Sequence, residues 1–389
     1  MGEYDVAILC AEHFQVGLFQ NGAGYRYLEL AMTLRELGVR AAVVCPGPTD
    51  FTDCPVPVLD QSAMSHADIE RCANVFVFCL LEDEELVQRL KAAGKALVYD
   101  SFLTPVEQLT FPRVQALGAA ARIDAHFHDV VGKHNRFNAL ADDFIIGEPE
   151  EALLKLGELI STFQVGWADY GTLSGRIFPL PVISYSRCHL PSAEAPPAAS
   201  GTFLWNGGLW NHYGGVDLIL DAVAQLRKDG RDVECQFLYP DARMAAHRLI
   251  AERIAQGNAH GIRLGVDGAA PDFHAKQPIL AGCRALILLF EPVLQLNLFM
   301  SMRLREALLF GKPLIVSDFG VVAAFVRRHG IGLTVPNTVA DVRAAMERLR
   351  TDDELYATLV ANLRALRDRY DMAVFGPAIA ARIARYNGK

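Results

Sequence analysis

The 8 cysteines include no C-x-x-C pair or other zinc-like spacing, which removes the common structural metal frameworks from consideration. There is no D-x-D element of the kind that carries a metal-bound diphosphate, and the adjacent acids Asp142 and Asp143 read as turn chemistry before a strand. Positive charge is in deficit: 37 Lys and Arg stand against 45 Asp and Glu, a net −8, which excludes a nucleic-acid binder with a basic footprint. No apolar run is fit to span a bilayer, because residues 285–300 are interrupted by Glu291, Pro292, Gln295 and Asn297. Nor is there a cationic leader: Glu3 and Asp5 precede the first short apolar run, so no signal peptide is expected. Cys10 and Cys79 sit inside apolar strands, which points to buried reduced thiols and to a cytoplasmic location.

What is present is enough apolar matter, 51% of 389 residues, for two cores. Residues 5–12 (DVAILCAE) read as a buried strand, and residues 22–38 follow as a helix with Tyr27, Leu30, Ala31, Leu34 and Leu37 on one stripe and Gly38 as its stop. Strands at 41–46, 74–80, 95–101 and 143–148 alternate with helical segments. That alternation predicts a parallel sheet with helices on both faces. His126, His128 and His134 fall in a loop-rich stretch. A Pro-, Ser- and Ala-rich break then precedes a second round of alternation, in which Thr338 is a candidate N-cap. The expected organisation is a Rossmann-like domain over 1–180, a linker over 181–200, a second Rossmann-like domain over 201–370, and a terminal helix over 371–389 that returns to the first domain.

Three strand–glycine–helix junctions carry the chemistry. The first places Gly17, Gly22 and Gly24 between a strand and a helix, where backbone amides approach a phosphate closely. It is not G-x-G-x-x-G, since Tyr27 stands in the last place, and no acid follows the second strand; a dinucleotide oxidoreductase is disfavoured. Arg26 is either a substrate contact or a solvated helix charge. The second junction, residues 203–226, packs Trp205, Asn206, Gly207, Gly208, Trp210, Asn211, His212 and Tyr213 into one turn. Its tryptophans are either site or core aromatics, and His212 is either a ligand contact or a surface residue. The third, residues 290–320, carries Arg303 and Glu306 three apart on one helix face, with Arg305 between them. An Arg there suits a pyrophosphate, and a carboxylate one turn on suits the two hydroxyls of a ribose. The alternative is a structural Arg–Glu pair.

The segment REALLFGKPLIVSDFG (305–320) is similar to the E-A-x-x-x-G-x-P-V-[IV]-x-[ST]-D-x-G block of the family 4 glycosyltransferases. NGGLWNHYGGVDLILDAVAQL (206–226) and GAGYRYLELAMTLRELG (22–38) resemble two further blocks of that family. A bacterial subgroup with W-x-G-G-x-W and S-x-R-x-R elements is more similar still, and its V-x-D…P element resembles VYDSFLTP (98–105). The resemblance implies the GT-B fold: two Rossmann-like α/β domains facing across a cleft, with C-terminal helices packing back toward the first. It also implies a retaining transfer from a nucleoside-diphosphate sugar without metal or other cofactor. Two departures stand out. The family's basic pair for the donor pyrophosphate falls on Gly208 and Gly214, leaving Arg303 and Arg305 as replacements. Glu291 and Glu306 are fifteen apart rather than eight, so only Glu306 matches a family carboxylate.

The resulting expectation places the donor on Gly22, Gly24, Asn206, Gly207, Gly208, Arg303, Arg305 and Glu306. Arg303 and Asp100 act in catalysis, and Asn21, Arg26 and His212 meet the acceptor, which is a glycan, a lipid-linked molecule or a small molecule. No metal site is expected. Residues 296–310 are apolar with two Arg, which fits either a helix packed in the second domain or contact with a membrane-borne acceptor. A nucleotide-sugar 2-epimerase and a non-catalytic binding subunit of the same fold remain open as alternatives.

Overall fold

The computed structural model describes residues 2–15, 22–51, 53–109, 114, 116–149, 151–162, 164–166, 172–186, 201–209, 214–272, 274–293 and 297–388. The chain divides into two units, Met1–His189 with Tyr370–Lys389, and Leu190–Arg369.

In the first unit, β1 (Tyr4–Leu9), β2 (Ala41–Cys45), β3 (Val58–Asp60), β4 (Ala73–Cys79), β5 (Ala96–Asp100), β6 (Asp143–Ile146) and β7 (Ile177–Pro179) form a parallel sheet in the order β3-β2-β1-β4-β5-β6-β7. Ala7, Leu9, Phe76, Phe78, Leu97 and Tyr99 enter one core cluster, while the alternating Val6, Ile8, Val75, Val77 and Val98 are buried on the opposite face. Both faces are covered, which is why these strands read as unbroken apolar runs. Phe78 stacks on Tyr99 at 5.2 Å and meets the edge of Phe137 at 5.0 Å. Each such ring contributes about 1.5–3 kcal/mol through burial.

Phe137 belongs to a 21-residue helix, Ala120–Leu140. The stretch holding His126, His128 and His134 is therefore helical rather than loop-rich. His134 is buried, between the Tyr99 hydroxyl (2.8 Å) and Glu158 (3.2 Å). Gly, His and Asn lower the helix propensity of this segment and no side chain caps it, so packing of the Phe137 face decides its state.

The helix Met372–Tyr386 packs on the helix Gly22–Glu36 and on the sheet of the first unit. Gly376 permits the approach, since a Cβ there would lie 2.8 Å from Thr33 Cγ2. Asp143 anchors it, accepting from Arg382 Nε (2.8 Å), Arg382 Nη2 (2.9 Å) and the Tyr386 hydroxyl (2.6 Å). Of the acid pair read as turn chemistry, Asp143 is thus an anchor for the Met372–Tyr386 helix, while Asp142 accepts from Lys91 Nζ at 2.7 Å and from Leu97 N at 2.9 Å. This cover also explains why the Gly22–Glu36 helix is buried on nearly every side, Glu29 and Arg26 included, rather than along one stripe. Leu37, placed on that stripe from the sequence, is 42% exposed.

In the second unit, β8 (Thr202–Gly208), β9 (Glu234–Tyr239), β10 (Ile262–Leu264), β11 (Ala285–Leu288), β12 (Leu314–Ser317) and β13 (Gly332–Val335) form a parallel sheet in the order β10-β9-β8-β11-β12-β13. Thr338 caps its helix by accepting from Asp341 N, and Gly311 ends the helix Leu304–Phe310 at φ 60°. Among the described residues no helix is long and apolar enough to cross a membrane.

Arg26 is not a solvated charge: it is 1% exposed. Its fork closes on Asp100, the last residue of β5, through Nε–Oδ2 at 2.7 Å and Nη2–Oδ1 at 3.0 Å. Nη1 reaches the Pro181 carbonyl at 3.4 Å, and the guanidinium lies 4.8 Å from the Phe102 ring centre. With the two side chains 1% and 0% exposed, the pair ties helix to sheet. Asp100→Ala strands a buried guanidinium and should destabilise the fold by about 3–5 kcal/mol in urea unfolding; an Asp100→Ala protein of unchanged stability contradicts this assignment.

Candidate functional site

In both sheets the strand order reverses at one place, between β1 and β4 in the first and between β8 and β11 in the second. Open α/β sheets bind ligands beyond the carboxyl ends of the strands at such reversals. In the second unit the sequence-predicted residues gather there. Trp205 pairs with Phe237 and Gly208 with Tyr239, so β8 carries one extra residue between them, a bulge at Asn206–Gly207. The bulge re-aims Asn206, whose Nδ2 donates to Glu306 Oε2 at 2.6 Å and to the Arg303 carbonyl at 3.3 Å. Asn206 Oδ1 is buried and accepts no hydrogen bond among the described residues.

Glu306 is 8% exposed, and its other oxygen, Oε1, accepts from Lys276 Nζ at 2.9 Å. Burial alone would raise this carboxyl; the Lys276 ammonium, with Arg305 and the Asn206 amide, outweighs it and holds the group below the usual carboxylate range. Burial likewise works against the Lys276 charge, and Glu306 more than restores it. Lys276 lies at the start of a short helix after β10 and had no signal in the sequence, since the single Lys of PDFHAKQP belongs to no spaced motif.

Arg303 precedes the helix Leu304–Phe310 and is 9% exposed. Its Nη2 donates to the Gly208 carbonyl at 2.7 Å and its guanidinium carbon lies 5.1 Å from the Trp205 ring centre. Trp205 is fully buried and donates Nε1–H to the same carbonyl at 3.3 Å. It is a core aromatic that also seats the arginine. Gly207 lacks a side chain for a concrete reason: a Cβ would sit 2.0 Å from Arg303 Nε. At Gly214 a Cβ would fall 2.5 Å from Glu291 Cγ, so a side chain there would have to displace that of Glu291. Arg305 is 5% exposed and its charge acts on both Lys276 and Glu306.

The remaining expected residues lie elsewhere. Gly22 opens the helix Gly22–Glu36 and Gly24 is buried within its first turn, in the first unit. Arg26 and Asp100 bind each other, as described above. Asn21 and His212 fall outside the described residues, with the loop from Gly17 and with Trp210, Asn211 and Tyr213. Among the described residues no three His, Cys, Asp or Glu side chains converge as a metal-binding group.

No family model matches the sequence, and no curated protein sequence matches it either. Solved structures do. Sucrose-phosphate synthase from Thermosynechococcus elongatus is similar over 98% of this chain and 99% of its own, at 13% identity and a TM-score of 0.62. Anabaena HepE, in a complex with UDP-glucose, is similar over 98% and 99%, at 15% identity and 0.63. A protein from Listeria monocytogenes described as a UDP-N-acetylglucosamine 2-epimerase is similar over 99% and 97%, at 14% identity and 0.60. The fold is GT-B. At such identities the likeness carries the architecture alone.

The seat of Arg303 is testable through stability alone. Gly207→Ala should destabilise the wild-type chain by about 1 kcal/mol by pushing the guanidinium aside, and should cost nothing in an Arg303→Ala background. Additive losses in that double-mutant cycle would mean the two residues do not meet.

Proposed function

We propose that the chain transfers a sugar from a nucleoside-diphosphate sugar to an acceptor hydroxyl, with retention of configuration and without a resident metal. One observation carries the reading: Lys276, Arg303 and Arg305 are gathered, buried, with Glu306 around the bulged end of β8 at the reversal of strand order. Three cations and one carboxylate held in low dielectric suit a diphosphate whose negative charge grows as the sugar departs. In this reading Arg303 and Arg305 neutralise the leaving diphosphate. Glu306, its carboxylate fixed from both sides by Lys276 and Asn206, takes the ribose hydroxyls. Asn206 Oδ1 offers a further acceptor for the donor. Arg26 and Asp100 drop out of the chemistry, because each occupies the other.

Retention follows from the family resemblance. Among the described residues of the cluster no covalent nucleophile stands out; in this reading the acceptor attacks on the face from which the diphosphate leaves, and the departing phosphate oxygen takes its proton. The similarity to the Listeria protein favours a second reading, inversion at C2 of a nucleotide-sugar with no acceptor.

Incubation with UDP-, GDP- and ADP-sugars, with and without a glycan acceptor mixture, separates the two: the proposal predicts a glycoside product only when acceptor is present. An epimerised nucleotide-sugar from donor alone would replace it. Arg303→Ala should lower kcat by more than about tenfold, the scale of one lost electrostatic stabiliser. Unchanged kinetics would remove Arg303 from the mechanism. Activity is expected to survive EDTA.

A further inference from the structure

The helix Gly320–His329 ends on three consecutive cations, Arg327, Arg328 and His329. It leaves the carboxyl end of β12 and returns to the amino end of β13, so these residues lie at the edge of the sheet opposite the Arg303 cluster. A second element meets them there. Asn362 of the helix Asp353–Arg367 donates from Nδ2 to the Gly330 carbonyl at 2.8 Å. The turn Asp368–Tyr370 that follows this helix carries Arg369 close enough for its charge to act on His329.

Most of the charge gathered here is not answered within the fold. Arg327 pairs with Asp318. Arg328 and Arg369 are exposed and form no ion pair or side-chain hydrogen bond among the described residues. Exposed arginines elsewhere in the same unit do find acids, as Arg243 meets Asp241 and Arg263 meets Glu234, each at 2.8 Å. In a chain of net −8, two arginines left without an acid are the more notable. A helix dipole favours cations in the last turn, which explains Arg327 and Arg328 by themselves. It does not explain why Arg369, from a separate element, adds its charge at the same imidazole. His329 is half-buried, its ring centre 4.5 Å from that of Phe325. Burial first, then Arg369 and Arg328, hold it below the usual imidazole range, and both of those charges are positive.

We infer that Arg328, His329 and Arg369 form a binding site for the phosphate group of a small soluble ligand, separate from the Arg303 cluster. Two guanidinium forks supply paired N–H donors and the imidazole a further one, a set that suits the several oxygens and double charge of a phosphate monoester. A half-buried ring with two exposed arginines beside it fits one discrete group better than the broad field of an anionic bilayer. A bound dianion offsets the two arginine charges and raises His329, so binding takes up a proton and strengthens as pH falls through the raised value. The site stands whether or not the chain transfers a sugar.

Ring 1H–13C correlation NMR of the full chain tests it, with inorganic phosphate and glucose 6-phosphate as probes, acetate as the carboxylate counter-probe, and phosphatidylglycerol vesicles as a separate arm. The His329 signal is assigned by its loss in His329→Gln. At low salt both phosphate probes should move that signal with a Kd of about 1 mM, acetate should bind at least about tenfold more weakly, and saturation with phosphate should raise the titration midpoint of His329 by about one pH unit. Arg328→Ala and Arg369→Ala, both at exposed positions, should each weaken phosphate about tenfold at unchanged Tm. Folded Arg303→Ala protein should keep the response at His329, which distinguishes this site from the diphosphate site proposed above. The assignment is overturned if neither phosphate probe moves the His329 signal, if the response survives both arginine variants or is lost in folded Arg303→Ala protein, if acetate binds as tightly, or if vesicles alone produce it.

Discussion

The candidate site depends on where one guanidinium rests. Arg303 lies over Trp205, donates to the Gly208 carbonyl and fills the space a side chain at Gly207 would need. Strand, bulge and arginine therefore form one unit. The tryptophan is core, the glycine is an absence of side chain, and together they fix a charge that would otherwise sample many rotamers. Glu306 is fixed in the same way, one oxygen on Lys276 and the other on Asn206. Groups already held in place need no reorganisation when a ligand arrives.

The two units use buried charge differently. In the first, Arg26 and Asp100 satisfy each other completely and join helix to sheet; the pair is architecture. In the second, Lys276, Arg303 and Arg305 gather with Glu306 at the strand ends. A buried ion is expensive unless partners answer it. The first arrangement answers it within the fold, and the second is suited to an anionic ligand.

Much of the fold was legible in the sequence because it rests on local signals. Alternating apolar runs and amphipathic stretches foretold the parallel sheets, and Gly38 and Thr338 marked helix ends through φ and capping. Spacing also brought Arg303 and Glu306 onto one helix start beside the Gly207–Gly208 turn. What was not legible depends on distant partners. Nothing near Lys276 announces that it meets Glu306 thirty residues on. Arg26 and Asp100 are seventy-four apart, and each alone looked like a site residue. The Ala120–Leu140 helix has poor local propensity and is held by Phe137 against the sheet. The apolar stripe of the Gly22–Glu36 helix misled for a related reason, since the Met372–Tyr386 helix that covers its other side comes from the far end of the chain.

In the proposed reaction the Arg303 cluster recognises a diphosphate. Calorimetric titration of the chain with UDP, GDP and ADP, each against its own monophosphate, addresses it directly. At least one diphosphate should bind, and at least about tenfold more tightly than its monophosphate, as the loss of one charge-assisted contact requires. Equal affinity for the two, or no binding by any diphosphate, would contradict it.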